Sequence, residues 1–262
     1  MKLTVHGCRG SIPISTPQSI IYGGNTSCYE LIFNDYQLIF DTGTGFRQVS
    51  IDESKKTIIF YSHWHHDHIQ GLAFNSGLYN TKKDIFVSSA LNNKNESKNI
   101  IHQYFSGFYF PLELINKLPN LKFVEFNDLK KDFKKDFKIE FLKLNHPGGS
   151  VGYSIIVDEI KFTLLLDNEY DTSQFSSLQK FVNDSNLVVW DGMFTKEELI
   201  TKGIWGHSSI EQGIDFFNKC NIKNMLISHH DPLRVDDQLD HFSKKLPKGV
   251  QFARDGLKVD FT

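Results

Sequence analysis

Short runs of hydrophobic, β-branched and aromatic residues recur along the chain, with turn residues between them, as is typical of β-strands. In Phe137–Leu144 apolar residues alternate with charged ones, which predicts a strand with one face in water. Asn34 and Asp35 predict a tight hairpin turn, and so do Asp158 and Glu159. We predict strands at Lys2–His6, Tyr29–Phe33, Gln37–Phe40, Thr57–Tyr61, Asp84–Ser88, Phe137–Leu144, Gly152–Val157, Lys161–Leu166, Leu187–Trp190 and Asn224–Ser228.

Several segments between these runs favour helices. Ser208 and Glu211 have the spacing of a capping box at the start of one helix. Strands and helices mixed throughout predict an α/β (α+β) fold, with two mixed sheets sandwiched by helices in a single domain over residues 1–262. Helices are predicted at Asn92–Tyr104, Ser173–Asn183, Lys196–Thr201, Ser208–Asn218 and Asp236–Lys245, with a short one within Ile69–Leu78.

Composition places the chain among ordinary soluble globular proteins. It has 262 residues, 40% of them hydrophobic, and a net charge of −2, a balance that attracts neither nucleic acid nor an anionic membrane in bulk. The three cysteines are odd in number and widely spaced, which favours a reducing compartment. Met1–Gly7 lacks the apolar stretch of a secretion signal, and no run reaches transmembrane length. We therefore expect a cytoplasmic protein.

A cluster of ligand-type residues directly follows the predicted strand Thr57–Tyr61. His63, His65, Asp67 and His68 have the spacing His-x-His-x-Asp-His, and zinc, iron and manganese accept imidazole and carboxylate ligands. Residues two apart in extended chain point the same way, so His63 and His65 can chelate one ion, while the next two residues can face a second. A solvated polar turn would not need four such residues, so the cluster predicts metal binding.

Three further metal-type residues, His146, Asp167 and His229, each follow a predicted strand. Ligands at several strand ends can converge on one rim of a sheet. Each residue alone could simply begin or cap a turn. Their shared position predicts that they join the cluster at Ser62–His68.

Together these seven residues resemble the ligand set of the metallo-β-lactamase fold superfamily. Further motifs resemble a phosphodiesterase-like (RNase Z-like) branch of metal-dependent hydrolases within it. The resemblance implies a metallo-β-lactamase αββα sandwich. The branch motifs are Cys8–Pro13, Tyr22–Cys28, Phe40–Gly43, His146–Tyr153, Gly206–Ser209 and His229–Pro232.

The resemblance also implies a division of the ligands between two divalent ions, zinc or iron, with manganese as a further option. His63, His65 and His146 would hold one ion. Asp67, His68 and His229 would hold the other, with Asp167 bridging both. Two such ions can share a hydroxide and deliver it to a phosphorus or acyl centre, which would make Asp67 a catalytic residue.

Two more residues have a functional interpretation and an ordinary one. Asp41 is similar to a carboxylate that orients a ligand histidine, or it caps a turn before Thr42. His207 matches a position that contacts substrate or donates a proton in related phosphodiesterases, and it lies where a helix is predicted to begin. Its alternative role is capping, with the imidazole exposed.

Three weaker candidates complete the site. Arg9 could clamp a phosphate, or be one of many surface charges. Asp191 and His230 are candidates to support the ligands or the substrate. The sequence does not settle whether His229 or His230 is the last ligand, although the resemblance favours the first.

The leading hypothesis is a dinuclear-metal hydrolase of phosphodiesters, acting on a small-molecule substrate such as a cyclic nucleotide or another small ester. The alternative is a non-hydrolytic di-iron protein of the same fold that binds dioxygen and signals to a partner protein, since a histidine-rich site accepts iron as readily as zinc. A tRNA-processing nuclease is disfavoured because no long Lys/Arg segment provides a basic arm. The aromatic-rich segment Tyr104–Phe110 predicts core packing or a homodimer surface, with a lid over the metals as the other option.

Overall fold

A computed structural model of the protein describes residues 1–261, which form two β-sheets. The first sheet has the strand order β13-β1-β2-β3-β4-β5-β6 and the second has the order β12-β11-β10-β9-β8-β7. The strands are β1 (Lys2–Gly7), β2 (Cys28–Phe33), β3 (Tyr36–Phe40), β4 (Lys56–Tyr61), β5 (Ile85–Ser89), β6 (Leu121–Phe123), β7 (Lys138–Leu144), β8 (Ser150–Val157), β9 (Ile160–Leu165), β10 (Leu187–Asp191), β11 (Met225–Ser228), β12 (Val250–Phe252) and β13 (Lys258–Asp260).

Each sheet is antiparallel at one end and parallel at the other. β1 to β3 pair antiparallel, whereas β3 to β6 pair parallel; β7 to β9 are antiparallel and β9 to β12 parallel. The predicted hairpin turns are present, with Asn34 at φ 42° and Asp158 at φ 54°. Asn and Asp tolerate this left-handed conformation better than most residues. The parallel strands bring their carboxyl ends to one edge of each sheet.

Nine α-helices lie within residues 1–261, and five of them match predicted segments to within two residues. The segment Ile69–Leu78, where the sequence predicts a short helix, contains a 3-10 turn at Leu72–Phe74 and only the first residues of a helix that begins at Ser76. The helices are α1 (His66–Ile69), α2 (Ser76–Asn80), α3 (Lys94–Tyr104), α4 (Leu114–Lys117), α5 (Phe126–Asp132), α6 (Phe175–Val182), α7 (Lys196–Lys202), α8 (Ile210–Lys219) and α9 (Asp236–Ser243).

The predicted capping box of α8 is displaced by one residue. Ser209, not Ser208, is the N-cap, and its hydroxyl accepts from the backbone N–H of Gln212 while the Gln212 side chain accepts from the N–H of Ser209. Ser208 instead donates its hydroxyl to the carbonyl of Asn168. Ser208 is therefore part of the preceding loop, and the helix begins after Ser209.

Three layers of apolar side chains hold the fold together. Between the two sheets, Phe40 and Phe60 of the first pack against Tyr153 and Phe162 of the second. Outside the first sheet, helix α3 contributes buried Ile101. Outside the second sheet, α6, α8 and α9 contribute a separate cluster that includes Leu178, Phe216 and Leu239. The predicted αββα sandwich of two mixed sheets flanked by helices is confirmed.

The sequence pattern missed the shortest elements. β6, β12 and β13 have three residues each, too few to show a period of two. The aromatic-rich segment is divided: Phe105 is buried, whereas Phe108 and Tyr109 project into solvent. Core packing therefore accounts for only part of that segment. Among the residues described, no helix is long and apolar enough to cross a membrane.

Candidate metal centre

The candidate residues meet at the edge where β3, β4, β9 and β11 end. Asp41 and His229 directly follow β3 and β11, and Asp167 lies two residues after the end of β9; each has a positive φ, of 61°, 60° and 54°, respectively. A left-handed backbone is unfavourable for residues other than glycine, and such conformations cluster at functional sites. These turns aim three side chains from two sheets at one place.

The first group of ligand-type residues consists of His63, His65, His146 and Asp167, with one candidate ligand atom of each within 4.8 Å of the others. Nε2 of His63 lies 3.6 Å from Asp167 Oδ2, and Nε2 of His146 lies 3.5 Å from the same oxygen. His65 is the exposed member, and its Nδ1 is 3.0 Å from His146 Nε2. The geometry suits one ion held largely by nitrogen.

The second group consists of Asp67, His68 and His229, all buried. Asp67 Oδ2 is 3.3 Å from His68 Nε2 and 3.6 Å from His229 Nε2. Asp167 touches this group as well, with Oδ1 3.1 Å from His68 Nε2 and Oδ2 3.4 Å from His229 Nε2. Asp167 thus stands between the two groups, at the position expected of a bridging carboxylate.

Several buried atoms at this centre lack hydrogen-bond partners among residues 1–261. They are His63 Nε2, His68 Nε2, His229 Nε2 and Asp167 Oδ1. An unpaired polar atom in the interior costs about 1–3 kcal/mol, so a folded protein rarely keeps several together without a ligand. Imidazole and carboxylate donors in this arrangement fit divalent zinc, iron or manganese.

The other ring nitrogens are used to orient the ligands. His68 Nδ1 donates to Asp41 Oδ2 over 2.8 Å, and Asp41 also accepts from the backbone N–H and hydroxyl of Ser62. His63 Nδ1 pairs with the Ser62 hydroxyl at 3.1 Å. Each imidazole therefore turns Nε2 toward the centre. Of the two interpretations of Asp41, the geometry supports the orienting one.

His146 is oriented by a backbone carbonyl. Its Nδ1 donates to the carbonyl oxygen of Gly206 over 2.8 Å. Gly206 has φ 81°, and a Cβ there would lie 2.6 Å from His146 Nδ1 and 2.2 Å from Pro147 Cδ. Only glycine fits this contact. The glycine preceding His207 thus helps to place a ligand on a different loop.

His207 lies beside both groups, paired with Asp191. Its Nδ1 donates to Asp191 Oδ2 over 2.9 Å, and Asp191 also accepts from the backbone N–H of Asn168 and of Met193. His207 is buried, so the exposed capping role is wrong. With Asp167 and His229 it makes a third set of donors within ligand reach, which the sequence did not suggest.

Charge at the centre divides the histidines into two kinds. Burial lowers the pKa of His63 and His229, and partial burial together with the neighbouring His146 lowers that of His65, so these imidazoles favour the neutral form that binds metal. Burial also opposes the charged form of His68 and His207, but nearby carboxylates outweigh it. Asp167, Asp67 and Asp41 raise the pKa of His68 well above its ordinary value. Asp191 raises the pKa of His207 to about 9.

Two candidates lie outside the centre. Arg9 is fully buried, and its guanidinium donates to the carbonyl oxygens of Gly23, Asp231 and Arg234. It is neither a phosphate clamp nor a surface charge, because it is buried and four of its five N–H groups donate to these three carbonyls. His230 is also buried, with Nε2 donating to the Ala253 carbonyl, away from the ligand groups. His229 is therefore the residue of the pair that the fold delivers to the centre.

Sequence reasoning missed the residues that support the ligands. Ser62 links Asp41 to His63, and Ser27 Oγ lies 3.2 Å from His229 Nδ1. The backbone N–H of Ser11 donates to Asp67 Oδ2 over 2.8 Å. None of these residue types signals a metal site by spacing. The signals that could have suggested their parts are the position of Ser62 next to His63 and the motifs Cys8–Pro13 and Tyr22–Cys28, which contain Ser11 and Ser27.

Comparison with solved structures identifies the fold. The metallo-β-lactamase fold protein YhfI from Bacillus subtilis aligns over 99% of both chains, with a TM-score of 0.72 and 20% sequence identity. This chain has the metallo-β-lactamase fold. The short form of human tRNase Z aligns over 100% of both chains, with a TM-score of 0.71 and 17% identity. A diphosphatase from the PhnP family aligns over 100% of this chain and 98% of the diphosphatase chain, with a TM-score of 0.69 and 16% sequence identity. No family model and no curated protein matches the sequence.

Proposed function

We propose that this metallo-β-lactamase-fold protein is a dinuclear-metal hydrolase of small phosphodiesters. The observation that carries the proposal is the position of Asp167 between two complete ligand groups, with the His207–Asp191 pair alongside. Two of the structurally similar proteins are a tRNase Z and a diphosphatase, which supports a phosphate-containing substrate. The net charge of −2 argues for a small substrate over a long polyanion.

His63, His65 and His146 would hold one ion, and Asp67, His68 and His229 the other, with Asp167 shared. Divalent ions at such a centre supply Lewis acidity and lower the pKa of water, which provides a nucleophile at neutral pH. Ser62, Asp41 and the Gly206 carbonyl keep the ligand nitrogens aimed inward.

His207 acts as the general acid that gives a proton to the leaving oxygen. Because Asp191 accepts the Nδ1 proton, Nε2 is the nitrogen that can donate to a leaving oxygen. In the metal-free protein burial opposes the charged form of His207, but Asp191 outweighs it and raises the pKa to about 9, which favours the protonated imidazole that a proton donor needs. A departing alkoxide needs such a donor more than a good leaving group such as p-nitrophenolate does.

The test uses protein loaded separately with zinc, manganese or iron and a panel of substrates. The panel contains bis(p-nitrophenyl) phosphate, 2′,3′-cyclic and 3′,5′-cyclic AMP, and p-nitrophenyl acetate. We expect phosphodiester hydrolysis that Asp67→Asn lowers by at least about a hundredfold. His207→Ala should lower the rate by roughly 10²–10⁴-fold for cyclic nucleotides and far less for the p-nitrophenyl diester. His102→Ala, an exposed histidine on α3, is the matched control.

A protein with two ions per chain that hydrolyses no member of the panel would refute the proposal. So would an Asp67→Asn variant as active as the wild type.

The second candidate function is a di-iron dioxygen-binding sensor, which the nitrogen-rich donor set favours. Five of the seven ligand-type residues are histidines, and such a set accepts iron as readily as zinc. Protein purified without oxygen should then contain two irons per chain and gain a stable, reversible visible band in air. A silent spectrum with iron bound would reject this alternative.

A further inference from the structure

An aromatic cavity of about 520 Å³ lies where helix α1 and the turn after it meet the end of α3 and the loop that follows. Its walls include His66, Gln70, Phe74, Tyr104, Tyr109 and Phe110. Ligand cavities in proteins commonly have volumes of roughly 300–1,000 Å³, with apolar walls and a few polar groups that orient the ligand. The cavity has this size and this mixture of walls.

The cavity adjoins the ligands through the chain itself. His66 lies between His65 and Asp67, at the start of helix α1, and adjacent Cα atoms are only about 3.8 Å apart. While its neighbours face the centre, His66 turns the other way, with Nδ1 2.9 Å from the Tyr104 hydroxyl. His66 therefore places one wall of the cavity next, along the chain, to two of the candidate ligands.

The aromatic rings of the cavity pack against one another on the protein side, and two of them are exposed to solvent. Phe105, which is buried, packs edge-on to Phe110 at 5.2 Å between centroids, and Phe110 packs edge-on to Phe74 at 6.0 Å. Phe74 remains 59% exposed and Tyr109 84% exposed. Two exposed aromatic rings that line one cavity offer apolar faces to a flat partner.

We propose that the aromatic cavity binds the nucleobase of a substrate whose phosphodiester lies at the metal centre. This inference rests on the proposed function and narrows its substrate to nucleotides. A base can stack on Phe74 or Tyr109, while the Gln70 amide, the His66 ring and the Tyr104 hydroxyl offer hydrogen bonds to its edge. Stacking of one base on an aromatic side chain corresponds to roughly five- to 150-fold in affinity.

Binding of two nucleotide-like probes to the metal-loaded full chain tests this. Adenosine 5′-monophosphate and ribose 5-phosphate carry the same phosphate and sugar, and only the first has a base. By isothermal titration calorimetry the first should bind about tenfold more tightly to the wild type. Tyr109→Ala and Phe74→Ala should each remove most of that difference. Phe108→Ala is the matched control, because Phe108 is on the same loop and fully exposed but does not line the cavity.

Equal affinity of the wild type for the two probes would overturn the inference. Equal effects of Phe108→Ala and Tyr109→Ala would overturn it too, as would a dimer in sedimentation velocity that Tyr109→Ala dissociates while the probes bind alike. Hydrolysis of bis(p-nitrophenyl) phosphate separates the two claims. If this diester is hydrolysed but adenosine 5′-monophosphate binds no more tightly than ribose 5-phosphate, only the nucleobase site is wrong. If it fails while the base still binds through Tyr109, the site stands and the proposed function is wrong.

Discussion

Asp41 Oδ2 accepts a hydrogen bond from His68 Nδ1 over 2.8 Å, and both residues are completely buried. Asp41 directly follows β3 in the first sheet, while His68 lies in helix α1 after β4. The carboxylate is itself held by two hydrogen bonds from Ser62. This arrangement leaves His68 one ring orientation, with Nε2 directed at Asp67 and Asp167.

Asp41→Asn should weaken metal binding without unfolding the protein. Asparagine tolerates the positive φ of this position, so the backbone is retained. Loss of the carboxylate removes the charged acceptor that orients His68, and such changes typically cost about 10–100-fold in metal affinity. Competition with a chromophoric zinc chelator would measure the zinc affinity. Asp52→Asn is the control, because Asp52 caps a turn at the surface. An unchanged zinc affinity would show that Asp41 does not act through His68.

The positions of the candidate ligands were predictable because two independent signals coincide at them. Asp167 and His229 are ligand-type residues, and each follows an apolar run that reads as a buried strand. Parallel strands then bring such residues to a common edge, whatever the details of packing. The predicted metal cluster needed only residue type and strand position.

The buried positions of Arg9 and His230 could not be predicted from the local sequence. Both are polar residues next to chemically suggestive motifs, yet both are buried with backbone partners. The carbonyls that bind Arg9 come from segments more than two hundred residues apart in the chain, such as Gly23 and Arg234. No local pattern encodes that meeting. The direction in which Asp191 points, toward His207, likewise depends on the completed second sheet.

Metal stoichiometry should distinguish the shared carboxylate from a ligand of one group. His65→Ala removes a donor of the first group only, so we expect a fall from two ions per chain to about one. Asp167→Asn keeps a side chain that suits the local backbone but removes the charge between both groups, so occupancy should fall below one. Elemental analysis after dialysis measures both, with Asp171→Asn as an exposed control. One full ion retained in Asp167→Asn would contradict the bridging position.

Metal binding should release protons at neutral pH. In the metal-free protein burial opposes the charged form of His68, but Asp167, Asp67 and Asp41 raise its pKa well above the ordinary value, so it is protonated at pH 7. The proton must leave Nε2 before this nitrogen can bind an ion. Zinc affinity should therefore increase with pH. The charged imidazole stabilises the metal-free fold fully below about pH 6.5, and this stabilisation is lost as the pH rises through the raised pKa of His68.

Calorimetry in buffers of different ionisation enthalpy measures this release. We expect a slope of about one proton or more per chain for the wild type at pH 7. The slope should be smaller in Asp41→Asn, because one of the carboxylates that holds the proton is gone. A binding enthalpy independent of the buffer would rule out a protonated His68.

His230 should make the metal-free protein sensitive to acid. Burial, followed by the charge of Arg9, lowers the pKa of this imidazole to about 3. The unfolded chain takes up the proton near pH 6.5 and the folded chain does not, so the free energy of unfolding should fall by up to about 1.4 kcal/mol per pH unit as the pH drops from 6.5 toward 3. In His230→Gln the amide can still donate to the Ala253 carbonyl, but nothing titrates. Urea unfolding at several pH values should therefore give a shallower dependence for His230→Gln, and an unchanged one for the exposed control His102→Gln. Parallel curves for His230→Gln and the wild type would mean that His230 is protonated within the fold, beside the guanidinium of Arg9.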